Sequence, residues 1–171
     1  MNTKVIYRGQ FIELLQHDRW EYAHRAGNVS AVGIVAATDD QKLILVEQFR
    51  IPVDTTTIEL PAGLVGDGDA GEDIIAAAER ELLEETGYQA GQWKYLYDGP
   101  SSAGLTDERV HLVRARGLRK VGAGGGIAGE QIVVHEIALA ELDAFLAAKR
   151  SAGVLIDLKV RLARLLVASA L

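Results

Sequence analysis

Residues 66–88 read GDGDAGEDIIAAAERELLEETGY, and the reading of this stretch decides the fold. Its pattern predicts a helix over residues 72–86. Gly71 stands ahead of it and Gly87 stops it, where a glycine C-cap is expected. Six acids (Glu72, Asp73, Glu79, Glu81, Glu84, Glu85) and one base, Arg80, lie in that span. Such a charge run is ordinarily a solvated helix face. Two features set this one apart. At about 100° per residue, Ile74, Ile75, Ala78 and Leu82 make one apolar stripe, and Glu81 and Glu85 fall at its edge and within it. Glu81 and Glu85 are stacked i,i+4 neighbours and repel by a few tenths of a kcal/mol in water, more when half-buried. Glu84 and Glu85 also occupy the last turn, where the helix dipole is already negative. Local rules broken together mark a functional site. A hard divalent cation held by carboxylate oxygens relieves both conflicts. Mg²⁺ suits that donor set and commonly shares its coordination with substrate phosphates.

The spacing carries a resemblance. Gly66, five residues, Glu72, seven residues, Arg80-Glu81, Leu82, one residue, Glu84-Glu85, one residue, Gly87 and the bulky Tyr88 fill every fixed position of the Nudix box. The stretch resembles that of Nudix hydrolases, which cleave a diphosphate linkage joined to a nucleoside. The resemblance implies an α/β fold, with a mixed sheet in an α/β/α sandwich. It implies Mg²⁺, with Mn²⁺ able to substitute, held by Glu81 and Glu85 with Glu84 nearby. Arg80 would orient these glutamates by ion pairing.

Composition bounds the rest. The chain has 171 residues, one domain's worth, with 49% hydrophobic and 25% charged residues. A net charge of −6 argues against a protein that coats nucleic acid. An anionic substrate must then be received by local cations or by metal. There is no cysteine, which excludes a disulfide, a zinc ribbon and a thiol nucleophile, and suits a cytoplasmic setting. The N-terminal MNTKVIYRGQ has no apolar leader core. The C-terminal VLIDLKVRLARLLVASAL carries Asp157, Lys159, Arg161 and Arg164 and reads as an amphipathic helix, not a membrane span.

Ahead of the box, residues 4–8, 11–16 and 20–25 read as three short strands. They form either an edge of the main sheet or a separate antiparallel β-meander. ADP-ribose and nucleotide-sugar hydrolases of the Nudix family have such a meander and dimerise through it. The expectation is therefore an N-terminal segment 1–27 that makes a homodimer, and a hydrolase domain 28–171. In RWEYAHR, Trp20 reads as core or as ligand. The segment is similar to one in ADP-ribose hydrolases whose Trp stacks on the base, with Glu21 beside it.

Residues 29–37 and 42–49 read as buried strands. The second ends in VEQFR. Arg50 there is a surface charge or, as the resemblance implies, a phosphate grip. ELPAG follows at 59–63. In relatives the carbonyl matching Ala62 binds metal and the glutamate matching Glu59 touches substrate. Relatives often begin the box at the glycine of PAG, here Gly63. In this chain the spacing falls on Gly66, three residues later.

After the box, residues 92–98 and 109–115 read as strands. The loop GPSSAGLTDE between them offers Thr106, Asp107 and Glu108 as candidates for the distal sugar, with a polar turn as the alternative, and the resemblance makes Gly104 a substrate-binding position. ADP-ribose hydrolases often have a proline before this glycine; here it is Ala103. Residues 122–129, GAGGGIAG, read as a flexible loop that delivers Glu130. The resemblance makes Glu130 a metal ligand or the residue that directs the attacking water, and Glu130 or a box glutamate, Glu84 among them, the catalytic acceptor of its proton. Relatives often have a second acid nearby, where this chain has Ala128. A strand at 131–137 and a helix from about Ala138 follow, ahead of the C-terminal amphipathic run. His111 and His135 read as structural.

The expected function is Mg²⁺-dependent hydrolysis of a nucleoside diphosphate sugar, ADP-ribose first. The alternatives are GDP-mannose, NADH or a dinucleoside polyphosphate, or a non-catalytic nucleotide-sugar sensor. No nucleic acid or membrane is expected as a partner.

Overall fold

Two apolar runs, AVGIVA and KLILV, send alternate side chains to opposite faces, and this divides the core in two. The computed structural model describes residues 3–27, 29–66, 71–127 and 129–168. Box residues 67–70, the boundary residue Asn28 and Ala128 lie outside these. The N-terminal strands are β1 (Thr3–Arg8), β2 (Ile12–His17) and β3 (Trp20–Arg25). Strands β4 (Ala31–Ala36), β5 (Lys42–Arg50), β6 (Thr55–Glu59) and β7 (Ala62–Leu64) lead into helix α1 (Ile74–Thr86). Strands β8 (Tyr88–Pro100), β9 (Arg109–Lys120) and β10 (Val133–Ala138) follow. The chain closes with α2 (Leu142–Ser151), β11 (Leu155–Ile156) and α3 (Leu158–Ala168).

Three sheets result, ordered β1-β2-β3, β10-β5-β6-β11 and β7-β4-β9-β8. The pairs β4–β9 and β6–β11 are parallel and the others antiparallel, so the fold is a mixed-sheet α/β architecture. Val32, Ile34 and Ala36 of β4 and Ile44 of β5 pack with Ala77, Ala78 and Leu82 of α1. Val35 of β4 and Leu43 and Leu45 of β5 pack with Leu142 and Leu146 of α2 and Val160 and Ala163 of α3. The two four-stranded sheets therefore lie between α1 and the α2–α3 pair.

The helix of the box starts two residues later than its acids suggest. The Asp73 carboxylate accepts the N–H of Ile75 at 2.8 Å and of Ala76 at 3.1 Å, so Asp73 is the N-cap. Gly87 ends α1 in the left-handed region, φ 70°, with its N–H on the Leu83 carbonyl at 2.8 Å. The C-terminal run is not one helix. Leu155 and Ile156 pair in parallel with Thr57 and Ile58, and α3 begins only afterwards. The helix expected from Ala138 starts at Leu142, because β10 runs on through Ala138, paired with β5 as far as Lys42. Among the described residues no helix is long and apolar enough to cross a membrane.

β1–β3 form their own antiparallel sheet. It buries little: β1 is exposed along its length, and Tyr7, Phe11, Ile12 and Trp20 face solvent. The β8–β9 loop holds it down. The Ala23 N–H donates to the Leu105 carbonyl at 2.9 Å, His24 pairs with Asp107 at 2.8 Å, and Arg25 pairs with Glu108.

Candidate active site

β5, β6, β7, α1 and the segment before β10 converge on one cleft of about 420 Å³. Its walls include Glu81, Glu85, Glu130, Glu59, Arg50 and Ala62. These residues, all singled out in the sequence, are thus brought together from separate stretches of chain. Arg25, Gln48, Ser101, Glu108 and Lys159 line it too.

Glu85 is the most deeply placed of these acids, 5% exposed. Its Oε2 accepts the Ala62 N–H at 3.0 Å. Burial pushes its pKa up to about 8, and the charges of Glu81 and Glu130 add to that against the Ala62 bond. Burial also raises Glu81, with Arg80 opposing. Glu81 lies directly over Gly63, where an added methyl group would overlap its carboxylate. Gly66 serves another purpose, since its N–H donates to Glu72 Oε2 at 3.0 Å. The three-residue displacement of the box thus assigns two roles to two glycines.

Arg80 is fully engaged in holding this frame. It donates to Glu72 through two nitrogens at 3.0 and 3.1 Å, to Glu81 at 2.7 Å and to the Leu64 carbonyl at 3.0 Å, and sits 3.5 Å from Glu84. It ties the start of α1, its glutamates and β7 together. Glu84 is not part of the cleft wall, and one of its neighbours is Arg80 itself. Arg50 and Glu59 meet each other in a two-bond fork, 2.8 Å at each contact, and Thr57 donates to Glu59 as well. Burial raises the Glu59 pKa, but Arg50 and Thr57 outweigh it, and the carboxyl stays below its usual value.

The other expectations fare differently. Trp20 is 58% exposed, so the core reading fails, yet it is absent from this cleft. It lies five residues along β3 from Arg25, roughly 17 Å at the rise of a strand. Glu21 is beside it, opposite Gln16. Gly104 is exposed in the loop, and an added Cβ there would meet nothing within 4 Å. Asp107 is taken by His24, which leaves Glu108 as the loop acid at the cleft. His111 contacts Tyr95 at 3.1 Å, and His135 contacts Glu47 at 2.6 Å.

The loop read as flexible is docked. Gly125 N–H donates to the Glu85 carbonyl at 2.8 Å and Gly126 N–H to the Glu84 carbonyl at 3.0 Å. These donors meet the negative helix end that the sequence leaves without visible compensation. Glu130 is fixed beyond them, its Oε2 accepting the Ile127 N–H at 3.0 Å.

Among the described residues no three His, Cys, Asp or Glu side chains are drawn into a ready metal cage. Glu81, Glu85 and Glu130 instead share a cleft, each with a hydrogen-bond donor of its own. An all-oxygen set containing a buried glutamate, with its pKa raised beside two further acids, fits a hard divalent cation.

Lys159 and Arg25 leave little trace in the sequence. Lys159 reads as one cation of an amphipathic segment. The Asp157 N–H donates to the Ile58 carbonyl at 2.9 Å, and the Lys159 ammonium pairs with Asp157 at 2.8 Å, beside the end of β6. Arg25 is visible only as a basic strand end.

Residues 27–154 match the NUDIX domain. A methanol dehydrogenase activator from Bacillus methanolicus is 32% identical over 157 residues, 88% of this chain and 83% of that protein. An ADP-ribose pyrophosphatase from Bacillus subtilis (strain 168) is 42% identical over 88 residues, 52% of this chain. The aligned part spans about half of that relative's length, 46%. A crystal structure of an ADP compounds hydrolase shares the fold at a TM-score of 0.67 and 22% identity, over 86% of this chain and 81% of that one. The chain belongs to the NUDIX family. Within it, the resemblance runs to ADP-ribose pyrophosphatases.

Proposed function

We propose that the chain hydrolyses the diphosphate linkage of a nucleoside diphosphate sugar, with ADP-ribose the first candidate. The observation that carries this reading is the shared cleft, in which Glu81, Glu85 and Glu130 meet Arg50, Arg25 and Lys159. Its volume of about 420 Å³ lies in the range of small-molecule sites. The ADP-ribose pyrophosphatase among the relatives supports the same substrate class.

Glu81, Glu85, Glu130 and the Ala62 carbonyl would hold Mg²⁺, with Mn²⁺ able to replace it. The ion, when bound, neutralises charge at the diphosphate and acidifies water. Arg80 keeps Glu81 and Glu84 in place. Arg50, fixed by its fork to Glu59, has further N–H groups for a phosphate oxygen. Glu130 or a box glutamate takes the proton of the attacking water, whose oxygen bonds to one phosphorus as the bridging P–O bond breaks. The products are a nucleoside monophosphate and a sugar phosphate.

The exposed apolar residues of β1–β3 fit a homodimer. In that assembly Trp20 and Glu21, remote from their own cleft, would reach the base in the partner's cleft. A second reading, another nucleoside diphosphate sugar such as GDP-mannose, is favoured by Ala103, which replaces the proline of many ADP-ribose hydrolases.

A panel of nucleoside diphosphate sugars, NADH and dinucleoside polyphosphates, assayed with Mg²⁺ by phosphatase-coupled phosphate release, tests this. ADP-ribose should turn over fastest, and excess chelator should abolish the reaction until Mg²⁺ or Mn²⁺ is restored. Full turnover in chelator, or none with any substrate, removes the proposal.

A further inference from the structure

We infer that the glycine-rich segment 122–126 is a positioning clamp: its backbone caps α1 and seats Glu130 in register with the helix that carries Glu81 and Glu85. This rests on the hydrolase reading above.

The last carbonyls of any helix lack partners inside it. Here the loop supplies them. Gly125 and Gly126 donate to Glu85 and Glu84, while Val121 and Gly122 donate to the Gly87 carbonyl at 2.8 and 3.1 Å. These main-chain contacts bind the loop to the helix end as one body. The chain then runs directly from Gly126 to Ile127, whose N–H holds the Glu130 carboxylate, and the Glu130 N–H returns to the Ile127 carbonyl at 3.0 Å. The main chain of Glu85 and the side chain of Glu130 are therefore joined through a short, hydrogen-bonded path.

Only glycine permits the approach. Gly124 has φ +69°; a Cβ there would overlap the Thr86 carbonyl carbon and lie 2.7 Å from the Glu85 oxygen and the Gly87 nitrogen. Gly87, on the helix side, meets the Gly122 carbonyl in the same way. At Gly126, φ +83°, a Cβ would overlap the Glu130 carboxylate and stand 2.9 Å from the Glu130 Cβ. A connection between two strands has no need of this close contact. Glycines also cost the most entropy to order. The contacts they allow are with the backbone of the two helix glutamates and with Glu130.

Three variants test the clamp: Gly126→Ala, Gly124→Ala and, as a control for positive-φ strain alone, Gly153→Ala. Gly153 has φ +85° with nothing within 4 Å of an added Cβ, and it lines no part of the cleft. The readouts are kcat and KM for the sugar nucleotide the wild type cleaves, Mn²⁺ affinity by electron paramagnetic resonance without substrate, and Tm. Gly126→Ala should lower kcat about a hundredfold, the cost of a misplacement of about 1 Å, with KM little changed. Its Mn²⁺ affinity should fall about tenfold, and its Tm should lie slightly below that of Gly153→Ala, because Glu130 must shift to admit the methyl group. Gly124→Ala should show the same losses with a lower Tm. Should Gly124→Ala not fold, Gly126→Ala decides, because its added methyl meets side-chain atoms only. A folded Gly126→Ala with wild-type kcat and Mn²⁺ affinity, or losses equalled by Gly153→Ala, overturns the clamp. A wild type that cleaves no substrate removes the hydrolase reading instead, and the Mn²⁺ comparison still decides the positioning role.

Discussion

The backbone N–H of Ala62 donates to Oε2 of Glu85 across 3.0 Å, and this bond joins β7 to α1 at the deepest carboxylate of the cleft. It favours the charged form of Glu85 against burial and two neighbouring acids, and burial prevails. The site is held in a state that costs stability, as sites that concentrate like charge must be.

The cost sets a pH dependence for the metal-free protein. The folded pKa of Glu85, about 8, lies above the ordinary value of 4.5. A raised acid pKa means that the folded state holds its proton longer than the unfolded chain does. The stability this contributes is complete below pH 4.5 and is lost as pH rises through about 8. Denaturant unfolding of chelated protein between about pH 5 and 8 should show Glu85 lowering stability steadily across that window. An identical series on Glu85→Gln isolates the residue; equal slopes for the two proteins would remove Glu85 as the source.

Glu85→Gln should separate stability from activity. The metal-free variant should be more stable than wild type at about pH 8, by on the order of 1–3 kcal/mol, because a buried charge is gone. Its kcat should fall by about a hundredfold or more, the scale seen when an electrostatic group at a reaction centre is removed. Wild-type turnover at saturating Mg²⁺ would falsify the ligand role.

Gly63→Ala places a methyl group where the Glu81 carboxylate lies. The end of Glu81 must swing away, and Arg80 with it. Stability should drop by about 1–3 kcal/mol, the usual penalty of overpacking. Turnover should fall at least about tenfold beyond that, by the same misplacement argument that makes about 1 Å worth a hundredfold. Thermal unfolding and steady-state kinetics on one preparation check both; unchanged kcat would show that Glu81 has no need of its seat.

Trp20→Ala should leave the melting temperature nearly unchanged, since the ring is 58% exposed. If the ring stacks on the base of bound nucleotide, binding should weaken by about 1–3 kcal/mol, and KM should rise more than kcat falls. Adenine and guanine substrates should suffer alike. A normal KM at normal stability leaves the base without its stacking partner and leaves Trp20 an exposed side chain of β3.

How much of this is legible in the sequence follows from the range of the forces involved. The helix of the box, its end at Gly87 and the inward set of Glu81 and Glu85 are set by periodicity and capping within a few residues of each other. So are the three N-terminal strands and the two buried strands whose alternation divides the core. These are local patterns, and the chain alone determined them. The start of α1 at Ile74 escapes the pattern, because Asp73 looks like one more helical acid while its carboxylate is spent on capping.

The tertiary structure decided what depends on distant chain segments. Arg25 meets Glu108 from 83 positions away, and no spacing rule reaches that far. Lys159 comes to the cleft because Leu155 and Ile156 join β6, a pairing that two residues of an amphipathic run do not announce. Arg50 and Glu59, read as separate contacts to substrate, hold each other although the β5–β6 register pairs Arg50 with Thr55 and Glu59 with Val46; both stand on one face of the pair, and the long Arg50 side chain reaches back along it. The glycine loop changed most. By composition it is flexible, since glycine alone prefers no conformation. Against the unpaired carbonyls at the end of α1, the same lack of a side chain lets backbone meet backbone, and the loop becomes the fixed seat of Glu130.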